Sequence, residues 1–250
     1  MNNEAVANYL VDWLKNKVNA AGAQGIIFGV SGGIDSAVAG ILAKRAFPDD
    51  CLGLILPCET TLTDIIDGKD FAEHYNIDYK VIPLDNTFNI LLTEFNTHFD
   101  SNKNNVSLAS ANIKPRLRML TMYYAAQTYN YLVLGTTNKS EMKVGYSTKH
   151  GDNGVDLQIL GDLVKYEVYE LARYLKVPSQ IIDKPPSAGL WEGQTDEEEM
   201  GVSYQELDSY IKTGKGSLEA IKIIENLASK NEHKRRLPPI ALVSQEIKQL

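Results

Sequence analysis

Gly25-Ile26-Ile27-Phe28-Gly29-Val30 is a short apolar run that stops at Ser31-Gly32-Gly33-Ile34-Asp35-Ser36 and then passes into residues 37–47. A run of this length, closed by glycines, reads as a buried strand. Val38, Ile41, Leu42 and Phe47 recur at a spacing that turns one helical face toward a sheet. Strand, tight turn and helix in this order form the first unit of a parallel α/β layer.

The unit repeats on the C-terminal side. Strands are expected at 52–56, 79–82 and 131–134, the last closing on Gly135, with helices at 63–75, between 87 and 99, and at 114–129. An amphipathic helix carrying Tyr9, Leu10, Trp13, Leu14 and Val18 comes first. Such alternation predicts an α/β fold, a single doubly wound parallel sheet with helices on both faces. After Gly135 the pattern fades into a polar stretch reaching Asp162. A helix is expected at 165–175, with Val168, Leu171, Ala172 and Leu175 on one stripe, and Pro178, Pro185 and Pro186 punctuate a loop. Ser203 with Glu206 marks the start of a helix over 204–211, and Ser217 caps a last one bearing Leu218, Ile221, Ile224 and Ala228. The acidic run 196–199 reads mostly as solvated surface. With 250 residues, one domain spanning 1–250 is the expectation.

Composition narrows the class. Apolar residues make up 44% and charged ones 23%, which suits a soluble globular chain. No apolar run approaches the roughly 20 residues of a membrane span, and the N-terminus lacks a signal-peptide pattern, so a cytoplasmic protein without a membrane partner is expected. Cys51 and Cys58 are too few for a disulfide framework and read as buried thiols. A net charge of −7 weighs against a nucleic-acid partner and means that anionic small molecules need a focused positive pocket.

The turn after the first strand has the chemistry of a phosphate site. In an open parallel sheet, ligands sit at the carboxyl ends of the strands, where helix N-termini aim free N–H groups outward. Gly32 and Gly33 let the backbone approach an anion, Ser31 and Ser36 offer hydroxyls, and Asp35 can hold a magnesium ion that bridges phosphates. The turn is neither a Walker A loop nor a GxGxxG fingerprint. The pattern SGG-I-DS resembles the PP-loop of the ATP pyrophosphatase families, an adenine nucleotide alpha hydrolase-like fold. That resemblance implies cleavage of ATP between the α and β phosphates and transfer of AMP to a substrate oxygen.

Further stretches appear in order: 134–141 (LGTTNKSE), 148–152 (TKHGD), Asp156, Lys165, Pro186-Ser187-Ala188, 194–197 (QTDE) and 232–235 (EHKR). Together with the turn they resemble the ammonia-dependent NAD synthetases, over roughly residues 26–236. The resemblance implies a homodimeric ligase of NAD biosynthesis that adenylates the nicotinate carboxylate of deamido-NAD and replaces AMP with ammonia. Carried over, it places ATP on Gly29, Val30, Ser31, Gly32, Gly33, Ile34, Asp35, Ser36, Thr136, Lys165 and Ser187, and Mg²⁺ on Asp35 and Glu141. Deamido-NAD falls on Arg116, Lys149, Asp156, His233 and Lys234, and catalysis on Asp35, Glu141 and Lys165. Leu108 lies where some members carry an aromatic residue that stacks on the nicotinate ring. No glutaminase-like stretch is seen, which implies free ammonia as nitrogen donor, and the helix with Arg116, Met119, Leu120, Met122, Tyr123 and Tyr124 is a candidate subunit contact. The alternatives are another PP-loop enzyme, GMP synthetase-like or tRNA-modifying, and a non-catalytic nucleotide-binding α/β module.

Overall fold

In the computed structural model, which describes residues 1–100, 105–187, 189 and 193–248, the opening run becomes the central strand of a sheet. Ala188 of the Pro186-Ser187-Ala188 stretch lies outside the described residues. The chain begins with α1 (Asn3–Ala20), β1 (Gly25–Gly29), α2 (Ile34–Ala46), β2 (Cys51–Ile55), α3 (Leu62–His74), β3 (Asp78–Val81) and α4 (Asp85–His98). It continues with α5 (Val106–Ala111), α6 (Ile113–Tyr129), β4 (Tyr131–Gly135), α7 (Lys139–Val144), β5 (Leu157–Gln158), α8 (Lys165–Tyr174) and α9 (Ser179–Ile182). Last come α10 (Asp196–Met200), α11 (Tyr204–Thr213), α12 (Leu218–Lys230), α13 (Glu232–Arg235) and α14 (Gln245–Lys248).

All pairings are parallel, in the order β3-β2-β1-β4-β5. Strand order reverses at β1, so a crevice opens at the carboxyl ends of β1 and β4, where the connections leave to opposite sides. Alternation along β1 sorts side chains between two cores. Ile26 and Phe28 pack with α1, α2 and α8, whereas Ile27 packs with Leu117, Met122 and Ala126 of α6 and Phe88 of α4. The doubly wound sheet is therefore as expected, with helices on both faces. Each buried Leu, Ile or Phe contributes about 1.5–3 kcal/mol relative to exposure.

Differences lie mainly at boundaries and after β4. α2 begins at Ile34 instead of residue 37, so Asp35 and Ser36 stand in its first turn. The polar stretch holds α7 and the two-residue β5, the proline loop holds α9, and the acidic run is α10, with Asp196 and Met200 buried. A third apolar cluster joins α7, α10, α11 and α12 through Val144, Met200, Val202, Leu207 and Ile224. Cys51 and Cys58 are buried free thiols, as expected, and burial pushes the Cys51 thiol up to about 12. Among the described residues, no helix is long and apolar enough to cross a membrane.

Helix α2 sits close on the sheet because of Gly40: a Cβ there would lie 2.6 Å from the Phe28 ring and 3.3 Å from that of Phe71. The position of α2 sets that of Asp35. Gly40→Ala gains up to about 1 kcal/mol of helix propensity, yet should lose about 1–3 kcal/mol net through overpacking. Urea denaturation measures the difference, and an unchanged or raised midpoint would contradict this close contact.

Candidate active site

The turn after β1 is braced from within. Val30 N–H donates to Leu54 O at 2.8 Å and so holds the end of β1 in the sheet. Ser31 Oγ lies 3.0 Å from Ser36 Oγ and accepts from Gly33 N–H at 3.3 Å, while Ser36 Oγ donates to Gly33 O at 2.9 Å. The N-cap of α2 is Gly33, and no side chain caps it. Its first N–H groups thus have no side-chain cap, and the positive end of the helix dipole lies behind them. Gly32 is buried and has φ +75, and a Cβ there would meet Asp64 O at 3.0 Å. Its task is thus the left-handed turn against α3.

Asp35 faces a cluster drawn from three separate segments. Its Oδ1 accepts from Asn138 Nδ2 at 3.0 Å, and its Oδ2 accepts from Lys165 Nζ at 2.5 Å. The same ammonium lies 3.6 Å from Glu141 Oε1, and the Lys165 side chain is 2% exposed. Glu141 is placed by a capping box: its Oε2 accepts from Asn138 N–H at 3.1 Å, and Asn138 Oδ1 accepts from Glu141 N–H. Lys165 is placed by the pinned start of α8. Its N–H donates to Ser140 Oγ at 3.0 Å, Tyr166 N–H donates to Asp208 Oδ2 at 2.8 Å, and Ser140 Oγ donates to Asp208. Tyr204 OH bridges Glu141 Oε1 at 3.1 Å and Asp196 Oδ2 at 2.8 Å, and the Lys165 ammonium lies 4.9 Å from the Tyr204 ring.

Before the cluster opens a cavity of about 770 Å³, running from Ser31 and Gly33 to His233 and Lys234. Gly29, Val30, Ser31, Gly33, Ile34, Asp35, Ser36, Thr136, Glu141 and Ser187 line it, and so do Arg116, Lys149, His233 and Lys234. Three expected site residues do not. Gly32 and Lys165 are buried behind the wall, and Asp156 is spent on the fold, its carboxylate accepting from Val133 N–H at 2.8 Å and Tyr123 OH at 3.1 Å. Ile34 also belongs to the core of α2, and Leu108, about half exposed, lines the cavity.

Several residues were missed by sequence reasoning. Asn138 was detectable, since Asn-x-x-Glu is a capping-box pattern. Asp196 is 4% exposed and lines the cavity, which corrects its reading as solvated surface. Neighbouring Glu199 accepts from Tyr146 OH at 2.8 Å and Gln194 Nε2 at 2.6 Å. The stretch Leu56-Pro57-Cys58-Glu59 has no basic residue of its own, but α6 supplies two. Arg118 donates to Leu56 O at 3.1 Å and Thr60 Oγ1 at 3.2 Å, and Lys114 pairs with Glu59 at 2.7 Å. Lys184 pairs with Asp64 and, at 2.9 Å, with Asp67. At the far end, Asn231 Nδ2 donates to Val144 O at 2.9 Å, Lys234 Nζ donates to Gly145 O at 3.2 Å, and Asn153 Nδ2 donates to Lys234 O at 3.0 Å.

Asp35 and Glu141 carry oxygen donors of the kind a hard divalent cation takes, and both now face the Lys165 ammonium. Among the described residues no three His, Cys, Asp or Glu side chains form a metal cluster, so further ligands would have to be phosphate oxygens and water.

Burial first, and then the negative charge of Asp35, push the Glu141 carboxyl up from 4.5 to about 8, against the pull of Lys165. Burial alone would lower Lys165, yet Asp35 and Glu141 hold it above the usual lysine range. Between those two Glu141 values the folded protein retains a proton that the unfolded chain has lost. The resulting stability is fully present below 4.5 and is lost as pH rises through about 8. Thermal melts from about pH 5 to about pH 9 should therefore show a falling Tm, and Glu141→Gln should flatten the slope. A Tm that climbs with pH, or an equal slope in the variant, would refute this.

The family model described as NAD synthase matches residues 6–238. The NH(3)-dependent NAD(+) synthetase of Syntrophomonas wolfei subsp. wolfei is 55% identical over 99% of this chain and 100% of its own. A solved structure of an NMN synthetase from Francisella tularensis superimposes with a TM-score of 0.90 at 37% identity, covering 98% of this chain and 99% of that one. The NH3-dependent NAD synthetase from Campylobacter jejuni, solved with nitrate ion, gives 0.80 at 27% identity over 97% and 100% of the two chains. By sequence and by fold, the chain belongs to the NAD synthase family.

Proposed function

We propose that the chain is an ammonia-dependent ligase that converts deamido-NAD, ATP and ammonia into NAD, AMP and pyrophosphate. The observation that carries this reading is the Asp35–Glu141–Lys165 cluster at the uncapped N-terminus of α2, opening on a cavity rimmed by Arg116, Lys149, His233 and Lys234. A carboxylate is a poor electrophile, and AMP is a good leaving group for attack by NH₃. One carboxylate oxygen attacks the α phosphorus of ATP and expels pyrophosphate. Ammonia then adds to the acyl carbon, AMP departs with that oxygen, and the nitrogen gives up a proton.

In this reading Gly29, Val30, Ser31, Gly32, Gly33, Ile34, Asp35 and Ser36 form the triphosphate turn, with Thr136 and Ser187 at its flank. Free N–H groups of α2 offset phosphate charge, and Arg116, Lys149, His233 and Lys234 orient the dinucleotide. Asp35 and Glu141 would hold Mg²⁺, which supplies Lewis-acid polarisation of phosphate oxygens. Asp156 lies outside this cavity and would touch the dinucleotide only where a second copy completed the site. Exposed apolar side chains on α4 (Ile90, Phe95) and α6 (Leu120, Tyr124) are in keeping with a homodimer. A cytoplasmic location goes with this chemistry.

The likeness to the NMN synthetase favours a second reading, in which nicotinate mononucleotide is the acceptor. AMP release with ATP, Mg²⁺, ammonium and either acceptor separates the two. Deamido-NAD should give a kcat/KM at least about tenfold higher, equivalent to about 1.4 kcal/mol in transition-state binding. A reversed preference would establish the mononucleotide reading, and no AMP with either acceptor would sink both. Asp35→Ala should lower turnover by about a thousandfold while the circular dichroism spectrum is retained. Undiminished turnover would remove Asp35 from the chemistry.

A further inference from the structure

Lys165 has two assignments that it cannot meet at once. As an ATP contact its ammonium must reach phosphate oxygens, yet it sits 2.5 Å from Asp35 and 3.6 Å from Glu141 with 2% of the side chain exposed. As metal ligands, Asp35 and Glu141 must present free oxygens to a cation, yet both face this ammonium. A tethered charge competes with a dissolved cation at a high effective concentration, so the pair is a poor metal site while Lys165 remains there.

We propose that Lys165 is the resident counter-cation of the Asp35–Glu141 pair in the nucleotide-free protein, and that entry of metal-bound ATP exchanges partners. The carboxylates pass to the metal and the ammonium passes to phosphate oxygens. The inference rests on the reading of Asp35 and Glu141 as magnesium ligands. Three features support an exchange made by the side chain alone. The backbone of Lys165 is fixed through Ser140 and Asp208, so α8 need not move. The contact is lopsided, close to Asp35 and loose to Glu141, whose Oε1 is also held by Tyr204. Finally, lysine carries a compact charge on a flexible stem, and the triphosphate offers it new acceptors as the metal claims the old ones.

The consequence is strong mutual dependence between metal and nucleotide. The test uses Mn²⁺ as probe, free ion being counted by electron paramagnetic resonance, with and without α,β-methylene-ATP. Wild type is compared with Lys165→Gln and Lys165→Met, each checked by thermal melting. Without nucleotide both variants should take up Mn²⁺ about tenfold or more tightly than wild type, and both should bind the analogue more weakly. Equal nucleotide-free Mn²⁺ affinity in wild type and a folded variant would overturn the exchange. Wild type that binds Mn²⁺ as tightly without the analogue as with it would do so without any variant. Asp35→Asn placed in the Lys165→Gln protein should abolish nucleotide-free uptake. Uptake that survives there marks another metal site and overturns the underlying reading of the ligands, a result distinct from equal affinities.

Discussion

One buried ammonium ties the active end of this fold together. Lys165 starts α8, Asp35 stands in the first turn of α2, and Glu141 in that of α7, so a single charge joins three segments distant in sequence. Burying a lysine is costly unless carboxylates and hydrogen bonds compensate, and removing one partner of such a cluster leaves an unpaired buried charge at a cost of about 3–5 kcal/mol. The surrounding polar residues answer that need. Asn138, Tyr204, Ser140 and Asp208 fix the two carboxylates and the helix start, and the nearby apolar cluster of α7, α10, α11 and α12 holds them in register.

The remaining wall of the cavity follows from a charge problem. A chain of net charge −7 must accept polyanions, and Arg116, Lys149, Lys184, Lys230 and Lys234 are among the residues that line the crevice at the switch in strand order. Helix α6 contributes from two faces. Lys114 and Arg118, one turn apart, bolt down the connection between β2 and α3, while Arg116 points the other way, its Nε 3.3 Å from Lys149 O. The loop beside the turn after β1 is therefore stiffened by residues that lie more than fifty positions away.

What the sequence discloses, and what it hides, divides along the range of the interactions. The buried strand, the glycine turn and the helices with a broad apolar stripe are local patterns, and each is found within a few residues of where the pattern puts it. α7, α9 and α10 have four to six residues, too short for a stripe to develop, and β5 is only two residues long. Asp196 looks solvated because three acidic neighbours follow it. Its burial depends on Tyr204, whose hydroxyl position no spacing rule supplies. Asp156 shows the converse: a motif position carries its identity in the sequence, but its hydrogen bonds to Val133 and Tyr123 are a matter of how β4 and α6 meet. The glycines are half legible. The sequence shows that both residues of the pair lack a side chain, but not that Gly32 also takes the left-handed bend against Asp64.

The hooks at the far end of the cavity make α7 a short lever. Asn231 and Lys234 grip its final carbonyl region at Val144 and Gly145, while its first turn carries Glu141. With six residues, about 9 Å of helix at 1.5 Å per residue, there is little length over which strain can dissipate. A molecule that pulls Lys234 away from the Gly145 carbonyl therefore loosens the end of a short helix whose first turn bears Glu141. Lys234 and Glu141, far apart in sequence, are thus joined through a single helical turn and a half.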